Sequence, residues 1–251
     1  MKQSPRVIAG VKGPRIRIRW AALLIAFVPA ALLGVTVSGR VSVTGQSKKV
    51  DQFPAVVWLT SQSDGTDPVR SPDAQQTTYR LIQKNKQFHP HLLIVPVGAR
   101  VEFPNLDPFF HNVFSLFDGK RFDLGLYEAG STRSISFNRV GISYIFCNIH
   151  PEMSAVIIVL KTPYYGVSNS SGEISIPNVP PGRYQLEVWR EGNLPAELEK
   201  LSREITVTED PSFLGTFHFD DSRRNILAHK NKYGRDYDEP TSPNSLYNNP
   251  R

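Results

Sequence analysis

Apolar residues in this chain fall into short runs, and most of those runs alternate with polar positions at a period of two. Tyr184, Leu186 and Val188 alternate with Gln185 and Glu187, Ile135 and Phe137 with Ser134 and Ser136, and Val41 and Val43 with polar neighbours. That period is the signature of a strand with one face turned inward. Three other runs are continuously apolar, AVVWL (55–59), LLIV (92–95) and AVIIVL (155–160), and read as buried strands. Residues 143–147 predict a strand that ends on Cys147. Residues 38–60 predict a first strand pair, and the Gly/Pro/Asp-rich stretch 61–76 predicts a loop and a boundary. No segment sustains a helical period, and the one helix expected is short, around Pro195–Leu201. Residues 220–251 are polar with little periodicity and predict a disordered tail. The class expected is all-β, with sheets closed by packing face to face.

Composition supports this picture: 20 Pro and 17 Gly in 251 residues suit many turns and short strands. The net charge of +6 changes it little, because the excess lies in Lys2, Arg6, Lys12, Arg15, Arg17 and Arg19, ahead of the first acidic residue, Asp51. The remainder of the chain is balanced, so a basic face for nucleic acid gets no support. The basic stretch is followed by residues 20–37, apolar apart from Thr36. This is the order of charged and apolar regions in an export signal, and its length also reaches the lower limit of a spanning helix. Residues 1–36 are therefore expected to be a signal peptide or an N-terminal membrane anchor, with the body periplasmic or otherwise outside the cytoplasm.

Such a location makes the single cysteine, Cys147, notable. A lone thiol in an oxidising compartment calls for burial, an intermolecular bridge or a metal. His150 and Met153 follow it at intervals of three, and His111 lies 36 residues upstream. A thiolate and two imidazoles with a weakly held thioether form a donor set suited to both copper oxidation states. Closed structural zinc sites draw on Cys, His and carboxylates rather than Met. A Cys147–His150 nucleophile and base would need an orienting partner and an oxyanion site, and nothing marks either. His89 and His91 would share one face of a strand and offer a second, weaker metal pair.

The words FPNLDPFFHNVFS (103–115), FDLG (122–125) and FCNIHPEM (146–153) resemble the cupredoxins. Among these, the short Cys-x-x-His-x-x-Met loop resembles the amicyanin type and the plastocyanin-like proteins associated with methylamine utilisation. The resemblance runs through residues 88–160. It implies a Greek-key β-sandwich over residues 77–161 and one type-1 copper ion held by His111, Cys147, His150 and Met153. It further implies that Asn112 ties the ligand loops together, and that Phe109, Phe110, Ile149 and Pro151 form a docking patch around His150.

SSGEISIPNVPPGRYQLEVW (170–189) resembles the carboxypeptidase regulatory-like, or transthyretin-like, β-sandwich module. Such modules begin with strands like residues 37–43 and 56–59, which here precede the copper region. The expectation is a discontinuous module, 37–68 plus 162–219, with the copper domain inserted in it. The functional expectation is an exported, non-enzymatic electron carrier that docks transiently with a redox protein, a cytochrome or an oxidoreductase. The alternatives are copper binding and delivery, or a non-redox interaction protein that keeps the fold without the metal.

Overall fold

The computed structural model describes residues 34–45, 53–63, 77–116, 119–221 and 230–237. The leader expected over 1–36 lies outside these up to residue 33, as does the boundary loop from residue 64 to 76. Among the described residues no helix is long and apolar enough to cross a membrane.

The described chain is all-β, with one short helix. Its central part forms a sandwich. One sheet has the order β6 (Leu92–Pro96), β12 (Ser154–Leu160), β11 (Gly141–Cys147), β8 (His111–Ser115), β9 (Phe122–Tyr127). The other has the order β10 (Thr132–Phe137), β7 (Ala99–Pro104), β3 (Tyr79–Arg80), and a hairpin of β4 (Ile82–Lys84) and β5 (Gln87–His89) lies beside them. Leu81, Val101, Phe103, Phe137, Ile145 and Ile157 fill the space between, in the same cluster as Cys147 and Met153.

A second sandwich takes strands from both sides of the first. β1 (Val35–Thr44) lies between β14 (Glu173–Val179) and β17 (Ser212–Asp220). β2 (Ala55–Ser61) lies between β13 (Tyr165–Val167) and β15 (Gly182–Arg190), and β16 (Arg203–Val207) pairs with the far side of β15. The helix α1 (Pro195–Leu201) connects β15 and β16, with Pro195 in its first turn, where a missing N–H costs nothing.

Two sequence expectations are corrected here. Residues 38–60 hold two strands, but β1 and β2 belong to different sheets and face each other through Val37, Val41, Val57 and Leu59 instead of pairing. An apolar run announces a strand and its buried face but not its neighbour. The apolar stretch assigned to the leader also ends too late, since Val35 and Thr36 are already in β1 and Val37 is fully buried.

The continuous run 155–160 has a simple cause. Ala155, Ile157 and Val159 point into the core between β12 and β7, while Val156, Ile158 and Leu160 join Val56 and Trp189 in a separate cluster. β12 is therefore covered on both faces, and every position from 155 to 160 is apolar. Burying one such Ile or Val side chain contributes roughly 1.5–3 kcal/mol. The sheets stack in four layers, the two inner ones meeting at β12 and at β2 with β15. The His91 imidazole adds a polar link between the sandwiches, facing the Glu191 carboxylate at 2.6 Å and the Ser154 carbonyl at 3.1 Å.

Candidate metal centre

Strand pairing brings the predicted donors together. β8 and β11 run antiparallel with Cys147 opposite Val113, so His111, at the start of β8, lies beside the loop that leaves Cys147. The Asn148 N–H donates to the Asn112 carbonyl (3.3 Å) and extends that pairing by one step. The loop 148–153 then turns tightly into β12. The Met153 N–H donates to the His150 carbonyl (3.0 Å), and the Cys147 N–H donates to the Met153 carbonyl (3.2 Å).

The Cys147 Sγ lies 3.7 Å from His111 Nδ1 and 3.6 Å from His150 Nδ1, and the two nitrogens are 3.2 Å apart. A triangle with these sides has its centre about 2.0 Å from each corner, which matches first-row metal–nitrogen and metal–sulfur bonds of ~2.0–2.3 Å. Among the described residues these three form a group of donors able to share an ion. Met153 is fully buried in the same core cluster as Cys147. The donor set therefore fits a soft-to-borderline metal, and its sulfur and imidazole composition suits copper.

The bonds outside the triangle bear on which ring nitrogen offers a lone pair. The Asp107 carboxylate can only accept, so the His111 Nε2–H donates to Asp107 Oδ2 (2.8 Å) and Nδ1 is left bare. Burial alone would push the Asp107 carboxyl up. The Lys86 N–H, the His111 ring and the Asn85 N–H outweigh it and hold the group below the usual carboxylate range. Those two N–H groups converge because Asn85 and Lys86 both adopt the left-handed conformation (φ 55°) in the β4–β5 turn. Burial, followed by the neighbouring His111, holds His150 below the usual imidazole range. Burial raises the Cys147 thiol, and the backbone N–H groups of Asn112, Ile149 and His150 act in the opposite sense by favouring a thiolate.

Access is confined to one edge. His111 and Cys147 are fully buried, and His150 is half-buried. The Phe109 ring packs on both imidazoles, its centroid 5.3 Å from His111 and 5.5 Å from His150. Outside it, Leu106, Phe110 and Ile149 are 56%, 51% and 44% exposed, and Pro151 is exposed too.

The structure also revises some assignments. Asn112 does join the ligand loops through its carbonyl, but its side-chain amide donates to Asp123 Oδ1 (2.6 Å). His89 and His91 do not share a strand face. His89 ends β5 and is exposed, a cis peptide to Pro90 follows, and His91 turns toward Glu191. The disordered tail expected from residue 220 is corrected in part. Asp220 belongs to β17, and Asp221 pairs with the buried Arg190. Residues 230–237 lie against the ligand loop, with the Tyr237 hydroxyl donating to the Cys147 carbonyl (2.8 Å). The rest of that tail lies outside the described residues.

No protein-family model matches the chain, and no curated protein matches it. Among solved structures it is similar to a purple cupredoxin from Nitrosopumilus maritimus, at 23% identity over 33% of this chain and 99% of that one, with a TM-score of 0.30. It is also similar to a Cu-containing nitrite reductase from Thermus scotoductus SA-01, at 23% identity over 40% of this chain and 25% of that one, with a TM-score of 0.32. A reduced Cu(I) form of an amicyanin variant aligns at 18% identity over 41% of this chain and 98% of that one, with a TM-score of 0.32.

Proposed function

We propose that this chain is an exported type-1 copper protein that carries single electrons between redox partners and is not itself an enzyme. The observation that carries the reading is the triangle of Cys147 Sγ, His111 Nδ1 and His150 Nδ1, whose dimensions suit one ion. His111, Cys147, His150 and Met153 would hold the copper, the first three through the donor triangle and Met153 through its thioether. Bound there, copper supplies a one-electron couple between cupric and cuprous forms.

The protein's own groups account for the rest. Asp107 fixes the His111 tautomer, and the N–H groups around Cys147 stabilise its thiolate. Phe109 covers one side of both imidazoles. The half-exposed edge of His150, ringed by Phe110, Ile149 and Pro151, is the route by which an electron would pass to a cytochrome or oxidoreductase in a weak, transient encounter.

The leader pattern of residues 1–36 supports placement outside the cytoplasm, either free or anchored at the N-terminus. The second sandwich, which the sequence places in 37–68 and 162–219, is read as a carboxypeptidase regulatory-like scaffold that carries residues 77–161 as an insertion, its described strands being β1, β2 and β13–β17. The pairing of β1 and β2 with strands that follow residue 161 supports this.

Titration of the metal-free protein with Cu(II) tests the function. An intense visible thiolate-to-Cu(II) band at one equivalent, reversibly bleached by a one-electron reductant, is the expected result. A protein that stays colourless is a non-redox module. One that colours and at once yields its copper to a mild chelator is a delivery protein.

A further inference from the structure

Residues 230–237 come from the end of the chain, after the last strand of the second sandwich, yet their partners lie at the candidate metal centre. The segment folds on itself first. Asn231 Oδ1 accepts from the N–H groups of Tyr233 (3.0 Å) and Arg235 (3.1 Å), the Asn231 N–H donates to the Arg235 carbonyl (2.9 Å), and Gly234 turns the chain at φ +74°. This turn presents three groups to the copper sandwich. The Lys232 N–H donates to Asn148 Oδ1 (2.9 Å), the Tyr237 hydroxyl donates to the Cys147 carbonyl (2.8 Å), and Lys232 Nζ bonds Asp123 Oδ2 (2.8 Å). Asp123 Oδ1 in turn accepts from the side-chain amide of Asn112, the residue after His111.

We propose that residues 231–237 are a strap on the ligand loop, with Tyr237 and Lys232 as positioning residues for the donor triangle. Through its three bonds the strap reaches backbone and side chains around the donors and not the donor atoms themselves. It grips the Cys147 carbonyl, the side chain of Asn148 and, through Asp123, the side chain of Asn112. It thus holds the backbone on either side of the β8–β11 junction. The loop 148–153 is short, and the strap adds to the loop's own bonds, to the Asn112 carbonyl and to the rings packed on His150 in restricting its opening. Opening the loop is the motion that would let a bound ion escape, and the strap opposes it.

The inference rests on reading 147–153 as a metal-ligand loop, and the test separates the two. In the metal-free full-length chain, Tyr237→Phe removes only the hydroxyl. Amide hydrogen exchange at 147–150 is expected to accelerate roughly two- to tenfold, the loss of one hydrogen bond, while amides of β15 keep their rates. A chain ended after residue 229 should accelerate further at the same amides, and Lys232→Arg should leave them near the parent rate. In the copper-loaded protein, release to a chelator should quicken by a similar factor in Tyr237→Phe, with an unchanged unfolding midpoint. Unaltered exchange at 147–150 in both Tyr237→Phe and the shortened chain overturns the strap. So does a uniform rise across both sandwiches, which is lost global stability. A protein that never colours with copper refutes the metal reading alone, since the exchange result stands without metal.

Discussion

The Asp107 carboxylate and the His111 imidazole form a buried hydrogen bond of 2.8 Å that fixes which ring nitrogen is free to bind a metal. Asp107→Asn keeps the size of the group but removes its charge and its acceptor-only character. Copper affinity is expected to fall roughly 10–100-fold, the usual cost of losing an outer partner of a ligating histidine. Competition with a chelator of known affinity measures it.

Cys147→Ser replaces a soft sulfur donor with a hydroxyl. The charge-transfer colour is expected to vanish while the fold persists, as read by visible absorption beside far-ultraviolet circular dichroism. Colour that survives the substitution rules out Cys147 as the thiolate ligand.

These two residues differ in how far the sequence exposed them. The three residues that meet in the structure, His111, Cys147 and His150, were legible as candidates because a lone cysteine, a histidine and a methionine stand in one short loop with a further histidine upstream, an order that soft-metal chemistry explains. Asp107 was not, because its role depends on the β4–β5 turn offering it the N–H groups of Asn85 and Lys86, and nothing in the spacing of FPNLDPFFH announces that turn. The strands themselves were readable from periodicity, but the separation of β1 and β2 into two sheets was not, since alternation names a face and no partner. Residues 231–237 escaped for a related reason: they dock through backbone groups and polar tips and bury no apolar stripe.

Ile157 and Ile158 are neighbours on β12 that face opposite ways. Truncating either to Ala should cost about 2–5 kcal/mol in urea unfolding. Ile157→Ala opens a cavity in the core that holds Cys147 and Met153, and should also speed copper release. Ile158→Ala should leave release unchanged.

Arg190 and Asp221 form an ion pair with both side chains essentially inaccessible to water. Asp221→Ala leaves the guanidinium with the Phe53 carbonyl, Asn193 and the face of Phe219 and removes its paired carboxylate. The loss expected is about 3–5 kcal/mol, seen as a lower urea midpoint at constant slope.

The Asp123 carboxyl is subject first to burial, which raises it, but Lys232, Asn112 and the Gly125 N–H bring it below its ordinary value of 3.8. A group depressed in the folded state stabilises that state above its ordinary value, and the contribution disappears as pH falls through the lower, folded value. The difference in thermal midpoint between the parent and Asp123→Asn should therefore be constant near neutrality and shrink below about pH 3.8. Because Asp123 is partly exposed, the difference should also shrink in high salt.

β12 has no face left for water, and this bears on any attempt to isolate the portion that holds the candidate metal centre. Residues 77–161 expressed alone would present Val156, Ile158 and Leu160 as a bare oily stripe, together with Leu92 and Ile94 of the adjoining strand. Such a fragment would self-associate through that stripe unless the three β12 positions were rewritten as polar residues, whereas a free-standing carrier of this size would already have a wettable exterior there.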